Sequence, residues 1–253
     1  MTVDPRSAAA FGPAADAYER SRPSYPPEAV ARLAQRLGVG PRSTVVDLAA
    51  GTGKLTRVLH ALPGTVIAVE PSAGMRAMLA RVLPDVEVRD GTAESLPVPD
   101  GSLDAVFVGE AFHWFRMTPA GREIARALRP GGGLALLWNR DVWRPEETGP
   151  WLEELRAFLR GRQPTGPRYP GLHGGWREPL AALDVFTEFE RDDAVHVHEL
   201  DGRGFVALTS SWSWVANLPS DQRRELLERV HAVVGDGPLR LRFRTEMHWA
   251  FRR

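Results

Sequence analysis

Between residues 43 and 139 the chain alternates two spacings of apolar positions. The runs "STVVDLA", "GTVIAVE", "VEVRDG", "SLDAVFVG" and "GLALLWN" are β-branched or continuously apolar, which predicts strands buried on both faces. The segments between them repeat apolar residues every three or four positions. Lys54 to Leu62 predicts one helix. Ser72 caps a second, with Met75, Met78, Leu79 and Val82 on its apolar face, and "PAGREIARALRPGG" predicts a third that ends at a glycine-rich turn. Ahead of the first strand, Phe11, Ala14, Ala15 and Tyr18 fall at helical spacing. Pro23, Pro26 and Pro27 then interrupt the chain, and Ala29 to Leu37 predicts a helix opened by Pro27 and closed by Gly38. Alternating strands and helices of this kind predict an α/β fold, a doubly wound, mostly parallel sheet.

After Asp141 the pattern loosens. "TGPWLEELRAFLR" is an amphipathic helix, "GRQPTGPRYPGLHGG" a Gly/Pro-rich loop, and "FTEFERDDAVHVHEL" contains strand material. Residues 202–216 and 220–234 predict two helices joined around Pro219. Alternation from Leu241 to Phe251 predicts a strand with one partly exposed face. We expect a single domain over 1–253, with helical cap elements covering the substrate within 140–235.

Composition narrows the function classes. Lys+Arg and Asp+Glu both number 32, so no overall field draws the chain to nucleic acid. Lys54 is the only lysine among these basic residues. With no cysteine there is no disulfide framework and no thiolate chemistry. The N-terminus has early charge and no long apolar run, and no segment reaches the length of a membrane span, so a cytoplasmic protein without a membrane partner is expected. The composition is silent on oligomeric state.

The stretch "VVDLAAGTGKLT", Val45 to Thr56, ends a strand in an acid and turns on small residues, so a ligand approaches the backbone there. Three ligands could explain the turn. A nucleoside triphosphate needs G-x-x-x-x-G-K-[ST], but Leu48 stands at the first glycine and Leu55 after the lysine. A dinucleotide needs a third small residue, and Thr56 occupies that position. S-adenosylmethionine carries no phosphate and asks for close backbone approach and an acid for its ribose. Asp47 closes the first strand and Glu70 the second, where a carboxylate would hold both ribose hydroxyls by charge-assisted bonds. In open parallel sheets, ligands bind beyond the carboxyl ends of strands.

The ordered blocks "AYERSRPSYP", "VVDLAAGTGKLT", "VIAVEPSAGM", "GTAESLPVPDGSLDAVFVGEAFHWF" and "LRPGGGLALLW" resemble the class I S-adenosylmethionine-dependent methyltransferases, a Rossmann-like family. They are most similar to its small-molecule group of trans-aconitate methyltransferase-like proteins. The resemblance implies that Ala49, Gly51, Thr52 and Gly53 wrap the methionine and ribose parts of the cofactor. It implies that Glu70 holds the ribose and that Pro71 and Met75 flank the adenine. Thr92, Ala93 and Glu94 match the stretch that reads the adenine edge, with Thr92 where relatives often have Asp. Ala49 replaces the usual Gly, a change the turn tolerates unless the position needs a positive φ.

The resemblance also implies that residues 1–27 fold over the cofactor. There Tyr18 either covers the sulfonium or packs on a helix face, and Arg22 either pairs with a carboxylate or lies on the surface. Glu110 falls near the methionine end, and His113 is the candidate general base, its other reading being structural. Trp212 and Trp214 either wall an apolar acceptor pocket or simply pack. His196 and His198 share a strand face but lack a third metal ligand. The expected activity is methyl transfer from S-adenosylmethionine to a small-molecule acceptor, tilted to oxygen. The alternatives are a cofactor-binding module without catalysis and a nicotinamide enzyme on a related sheet.

Overall fold

The computed structural model describes residues 21–160, 162 and 174–253. The helix expected around Phe11 to Tyr18 and most of the loop expected at 161–175 lie outside the described residues. Helix α1 (Pro27–Arg36) begins at a proline, which has no N–H to leave unpaired in the first turn, and buries Ala29, Val30, Leu33 and Ala34. Then β1 (Thr44–Leu48), α2 (Lys54–His60), β2 (Thr65–Val69), α3 (Ala73–Val82), β3 (Glu87–Arg89), β4 (Leu103–Gly109), α4 (Met117–Ala127) and β5 (Leu128–Asp141) follow in turn. A single 3₁₀ turn at Phe112–Trp114 lies between β4 and α4.

Helix α4 stops at Ala127, before the glycine-rich turn where the sequence pattern ends it. Pro130 disfavours helical backbone at the residue before it, and Leu128 instead pairs with Leu103 as the first residue of β5. The remaining elements are α5 (Pro145–Thr148), α6 (Trp151–Leu159), α7 (Arg177–Ala181), β6 (Glu190–Asp201), α8 (Gly202–Ser210), α9 (Ser213–Ala216), α10 (Ser220–Val234) and β7 (Pro238–Phe251). The helix expected over 202–216 is thus two, broken where Trp212 adopts extended backbone.

Seven strands form one sheet in the order β3-β2-β1-β4-β5-β7-β6. The first five run parallel, and β7 is antiparallel to both neighbours. Successive residues of the central strands enter opposite cores. Val46, Val106 and Leu136 pack on one face with Phe112 and Ile124, and Val45, Phe107 and Leu137 on the other with Leu33 and Leu59. Each fully buried Leu or Phe contributes about 1.5–3 kcal/mol of apolar transfer, so this two-sided burial fixes the strand ends from which the site is built. A third core joins α6, α8, α9 and α10 to β7 through Leu155, Phe205, Leu208, Val215, Val230 and Leu241; this helical group is termed the cap. Among the described residues no helix is long and apolar enough to cross a membrane.

Candidate functional site

Strand order reverses between β1 and β4, the position where open α/β sheets leave a crevice. The turn leaving β1 carries positive φ at Ala49 (57°), Gly51 (59°) and Gly53 (93°). Ala49 therefore occupies the left-handed conformation that makes its replacement of glycine costly, by about 1 kcal/mol. At Gly53 a Cβ would lie 3.0 Å from a side-chain carbon of Leu79, so this glycine answers both to conformation and to the packing of α3.

Two acids hold the turn. Asp47 is buried, and its Oδ2 accepts a hydrogen bond from the Thr56 hydroxyl at 2.6 Å. Burial pushes its pKa up to about 7, against the opposing Thr56 bond and with a smaller push from Glu70. Glu70, 5% exposed, accepts from Gly51 N at 2.9 Å through Oε2 and from Ser72 N at 2.9 Å through Oε1. Burial raises its pKa, and the two backbone donors and Arg76 act against that rise. The carboxylate pins the glycine turn to the end of β2. A carboxylate offers about four lone-pair sites, so two remain after these bonds.

At the end of β4, Glu110 also has a positive φ of 56°. Its Oε1 accepts from the Asn139 backbone N–H, and burial raises its pKa despite that bond and the nearby charges of Arg22 and Arg140. Asn139 links three segments: its Nδ2 donates to Ser24 O at 3.3 Å, and its Oδ1 accepts from Thr245 Oγ1 at 2.6 Å. Arg22 ties the N-terminal segment to the α8–α9 break, donating from Nε to Ser211 Oγ at 2.8 Å and from a terminal nitrogen to Ser211 O at 2.9 Å.

These elements enclose a cavity of about 410 Å³ that runs from the glycine turn to the cap. Of the residues singled out from sequence, Arg22, Asp47, Ala49, Gly51, Thr52 and Glu110 line it, and so do Trp212 and Trp214. Gly53, Glu70, Pro71, Met75, Thr92, Ala93, Glu94 and His113 lie outside the lining. Met75 approaches the turn, its sulfur 3.9 Å from where a Cβ of Gly51 would stand. Ala93 is buried and Thr92 exposed, in a small bridge between Thr92 and Ser95, and Glu94 accepts from Arg116 N at 3.0 Å at the start of α4. Tyr18 lies outside the described residues.

His113 accepts a hydrogen bond at Nδ1 from Trp138 Nε1 at 3.4 Å. Burial, then Arg140 and Arg22, lower its pKa to about 4. The ring is neutral near pH 7 and weakly basic, a poor fit to the general-base expectation because that expectation took an unperturbed imidazole. His198 bonds Ser21 O at 2.9 Å through Nε2, and among the described residues no cluster of three or more His, Cys, Asp or Glu is placed to hold a metal.

Sequence reasoning missed several lining residues. Tyr25 is one, and a Cβ on Gly109 would collide with its hydroxyl. It stood seven residues beyond Tyr18 in the same block, so the block was the available signal. Lys54 opens α2 beside the turn and also lines the cavity. For Asn139 and Trp143 no local pattern marked the position.

The geometry suits a nucleoside-sized ligand on a side-chain-poor floor, next to an apolar compartment under the cap. Known proteins agree with it. A family model described as a methyltransferase domain matches residues 46–136. An uncharacterized methyltransferase of Mycobacterium tuberculosis is 38% identical over 90% of this chain and 86% of its own. One from Schizosaccharomyces pombe is 34% identical over 87% of this chain and 83% of its own. The fold is shared with a solved structure from Anaeromyxobacter dehalogenans, called a "putative type II methyltransferase". It has a TM-score of 0.65 at 24% identity, covering 90% of this chain and 97% of that one.

Proposed function

The chain belongs to the class I S-adenosylmethionine-dependent methyltransferases, and from that premise we propose that it methylates a small organic molecule, at an oxygen atom, inside the cavity under the cap. The observation that carries this reading is the continuity of that cavity: Ala49, Gly51 and Thr52 line one end and Trp212 and Trp214 the other.

The residues fit the cofactor. Ala49, Ala50 and Gly51 leave room for a nucleoside against the backbone. Glu70 is buried at the end of β2 with two acceptor sites left for a ribose diol. In this reading Asp47, Thr52 and Gly53 shape the turn around the methionine portion. Pro71, Met75, Thr92, Ala93 and Glu94 form the adenine side, with Arg22 at the neighbouring cavity wall.

When bound, S-adenosylmethionine supplies a methyl group already activated by a positive sulfur. The protein then has to align an acceptor atom in line with that group and keep water away. Arg22, on the cavity wall, contributes by tying the N-terminal segment to Ser211. An acceptor oxygen that arrives ionised needs no base. One that arrives as a hydroxyl has Glu110 on the cavity wall, a carboxylate whose raised pKa makes it the stronger proton acceptor. His113 orients Trp138 in this scheme.

The test is calorimetric titration with S-adenosylhomocysteine and with NAD, followed by release of S-adenosylhomocysteine in the presence of an acceptor library. Binding of the first ligand alone and acceptor-dependent release are expected. Binding without release from any hydroxyl or carboxylate acceptor would overturn the assignment.

A further inference from the structure

We propose that the acceptor is an uncharged, ring-bearing small molecule whose hydroxyl points to Glu110 and whose apolar body lies against the cap tryptophans. The inference rests on the methyl-transfer reading and narrows its substrate class.

The cap end of the cavity is walled by Trp143, Leu155, Leu208, Trp212, Trp214 and Phe243. Leu155, Leu208 and Phe243 belong to the buried cap core, whereas Trp143, Trp212 and Trp214 pack against that core and are only partly buried. The Trp212 and Trp214 rings stand 6.3 Å apart at 31°. Broad indole surface bordering a cavity favours a flat apolar guest, because ring-on-ring contacts add to simple area burial.

Charge points the same way. The cavity is bordered by three cations, Arg22, Lys54 and Arg156, and three carboxyl groups, Asp47, Glu110 and Asp141. Arg22 already holds Ser211. Arg156 donates to Glu153 Oε1 at 3.0 Å and to Trp143 O at 3.0 Å. Recognition of a polycarboxylate calls for guanidinium forks aimed at it and a surplus of positive charge. With every carboxyl ionised this cavity has no such surplus, so the tricarboxylate of the trans-aconitate-like group is the wrong kind of guest. Tyr25, Glu110 and Asn139 line the cavity together with the glycine turn, and on the α6 side Arg156 is engaged by Glu153 and the Trp143 carbonyl. A guest whose hydroxyl meets Glu110 then lays its apolar body toward the tryptophans. With S-adenosylmethionine bound, the acceptor oxygen would gain its bond to the methyl carbon as the sulfur–carbon electron pair stayed on sulfur, and the Glu110 carboxylate would take the hydroxyl proton.

The experiment uses the full chain saturated with S-adenosylhomocysteine and titrated with 2-naphthol or with trans-aconitate. The expected result is 2-naphthol binding tighter than about 1 mM, no binding of trans-aconitate at the same concentration, and a loss of about tenfold or more in Trp212→Ala and Trp214→Ala. Trp212→Phe retains a ring and should keep most of the affinity. It serves where the alanine variants fail to fold, which their S-adenosylhomocysteine affinity reports. Tighter binding of trans-aconitate, or 2-naphthol affinity indifferent to folded Trp212 and Trp214 variants, overturns the acceptor class. Failure of S-adenosylhomocysteine itself to bind overturns the underlying methyl-transfer reading instead, so the two failures are separable.

Discussion

At the glycine turn the cavity wall is backbone and buried carboxylate; under the cap it is indole and leucine. The first wall comes from one short stretch of chain after β1, pinned by Glu70 from the next strand. The second is gathered from residues 143, 155, 208, 212, 214 and 243. The difference teaches which part of the site can vary. Backbone N–H groups pinned by a buried acid suit one fixed ligand, and a wall of apolar side chains can be reshaped residue by residue without touching the turn. It also locates strain. Ala49 and Glu110 have φ of 57° and 56° and stand at the polar end of the cavity, where positive φ on non-glycine residues is held by the surrounding structure.

Asp47 gives the largest effect that sharpens this contrast. In the native state it takes up its proton as pH falls through about 7, whereas the unfolded chain waits until near 3.8. Between those values the native state binds more protons, so stability declines as pH rises from about 4 to 7 and then levels. The shift corresponds to about 4 kcal/mol. Denaturant melts at pH 5 and pH 8 should show wild type less stable at the higher pH, and Asp47→Asn should remove most of that difference. An unchanged slope in the variant would mean that Asp47 is charged and well solvated.

Glu70→Ala comes next. It removes the candidate ribose acceptor and strips the Gly51 and Ser72 N–H groups of their partner. We expect S-adenosylhomocysteine affinity to fall by about 100-fold, near 3 kcal/mol. Binding of 2-naphthol to the free protein should change little if the two ends of the cavity are as separate as their construction implies. Equal losses of both ligands would break the comparison.

Ala49→Gly should be a small gain. Glycine relieves the left-handed strain of about 1 kcal/mol but loosens the unfolded chain, leaving about 0.5 kcal/mol in favour of the variant. Thermal melting reads this directly, and a lower midpoint would show that the methyl group of Ala49 is packed to advantage. The smallest effect belongs to His113. With its pKa near 4 it stays neutral from pH 6 to 9, so His113→Gln should hold turnover within about threefold and leave the pH–rate profile unmoved in that range. A lost inflection would restore the imidazole as a base.

The parallel core was legible in the sequence because it rests on local rules. "VVDLA" and "VIAVE" are apolar on both faces, each carries an acid at or near its end, and prolines and glycines mark where helices start and turns occur. Those features act over a few residues, so reading them needs no partner. The condition on Ala49 was also readable, though not its outcome, since φ depends on how Ala50 N bonds Val69 O on the adjacent strand. Element ends drifted where pairing decided them, as when β5 began at Leu128 against Leu103.

By itself, then, the sequence determined the order of strands and helices, the acid at each of two strand ends, the small-residue turn and the family they signal. The tertiary structure alone decided that Tyr25 joins the motif residues in bordering the cavity and that Asn139 joins Ser24 to Thr245. It alone decided that His113 is neutral and that distant tryptophans form a wall. The physical reason is range. Backbone conformation and amphipathic period are set by neighbours along the chain. Burial, electrostatic environment and cavity shape are sums over atoms that come together only when segments as far apart as Arg22 and Ser211 meet.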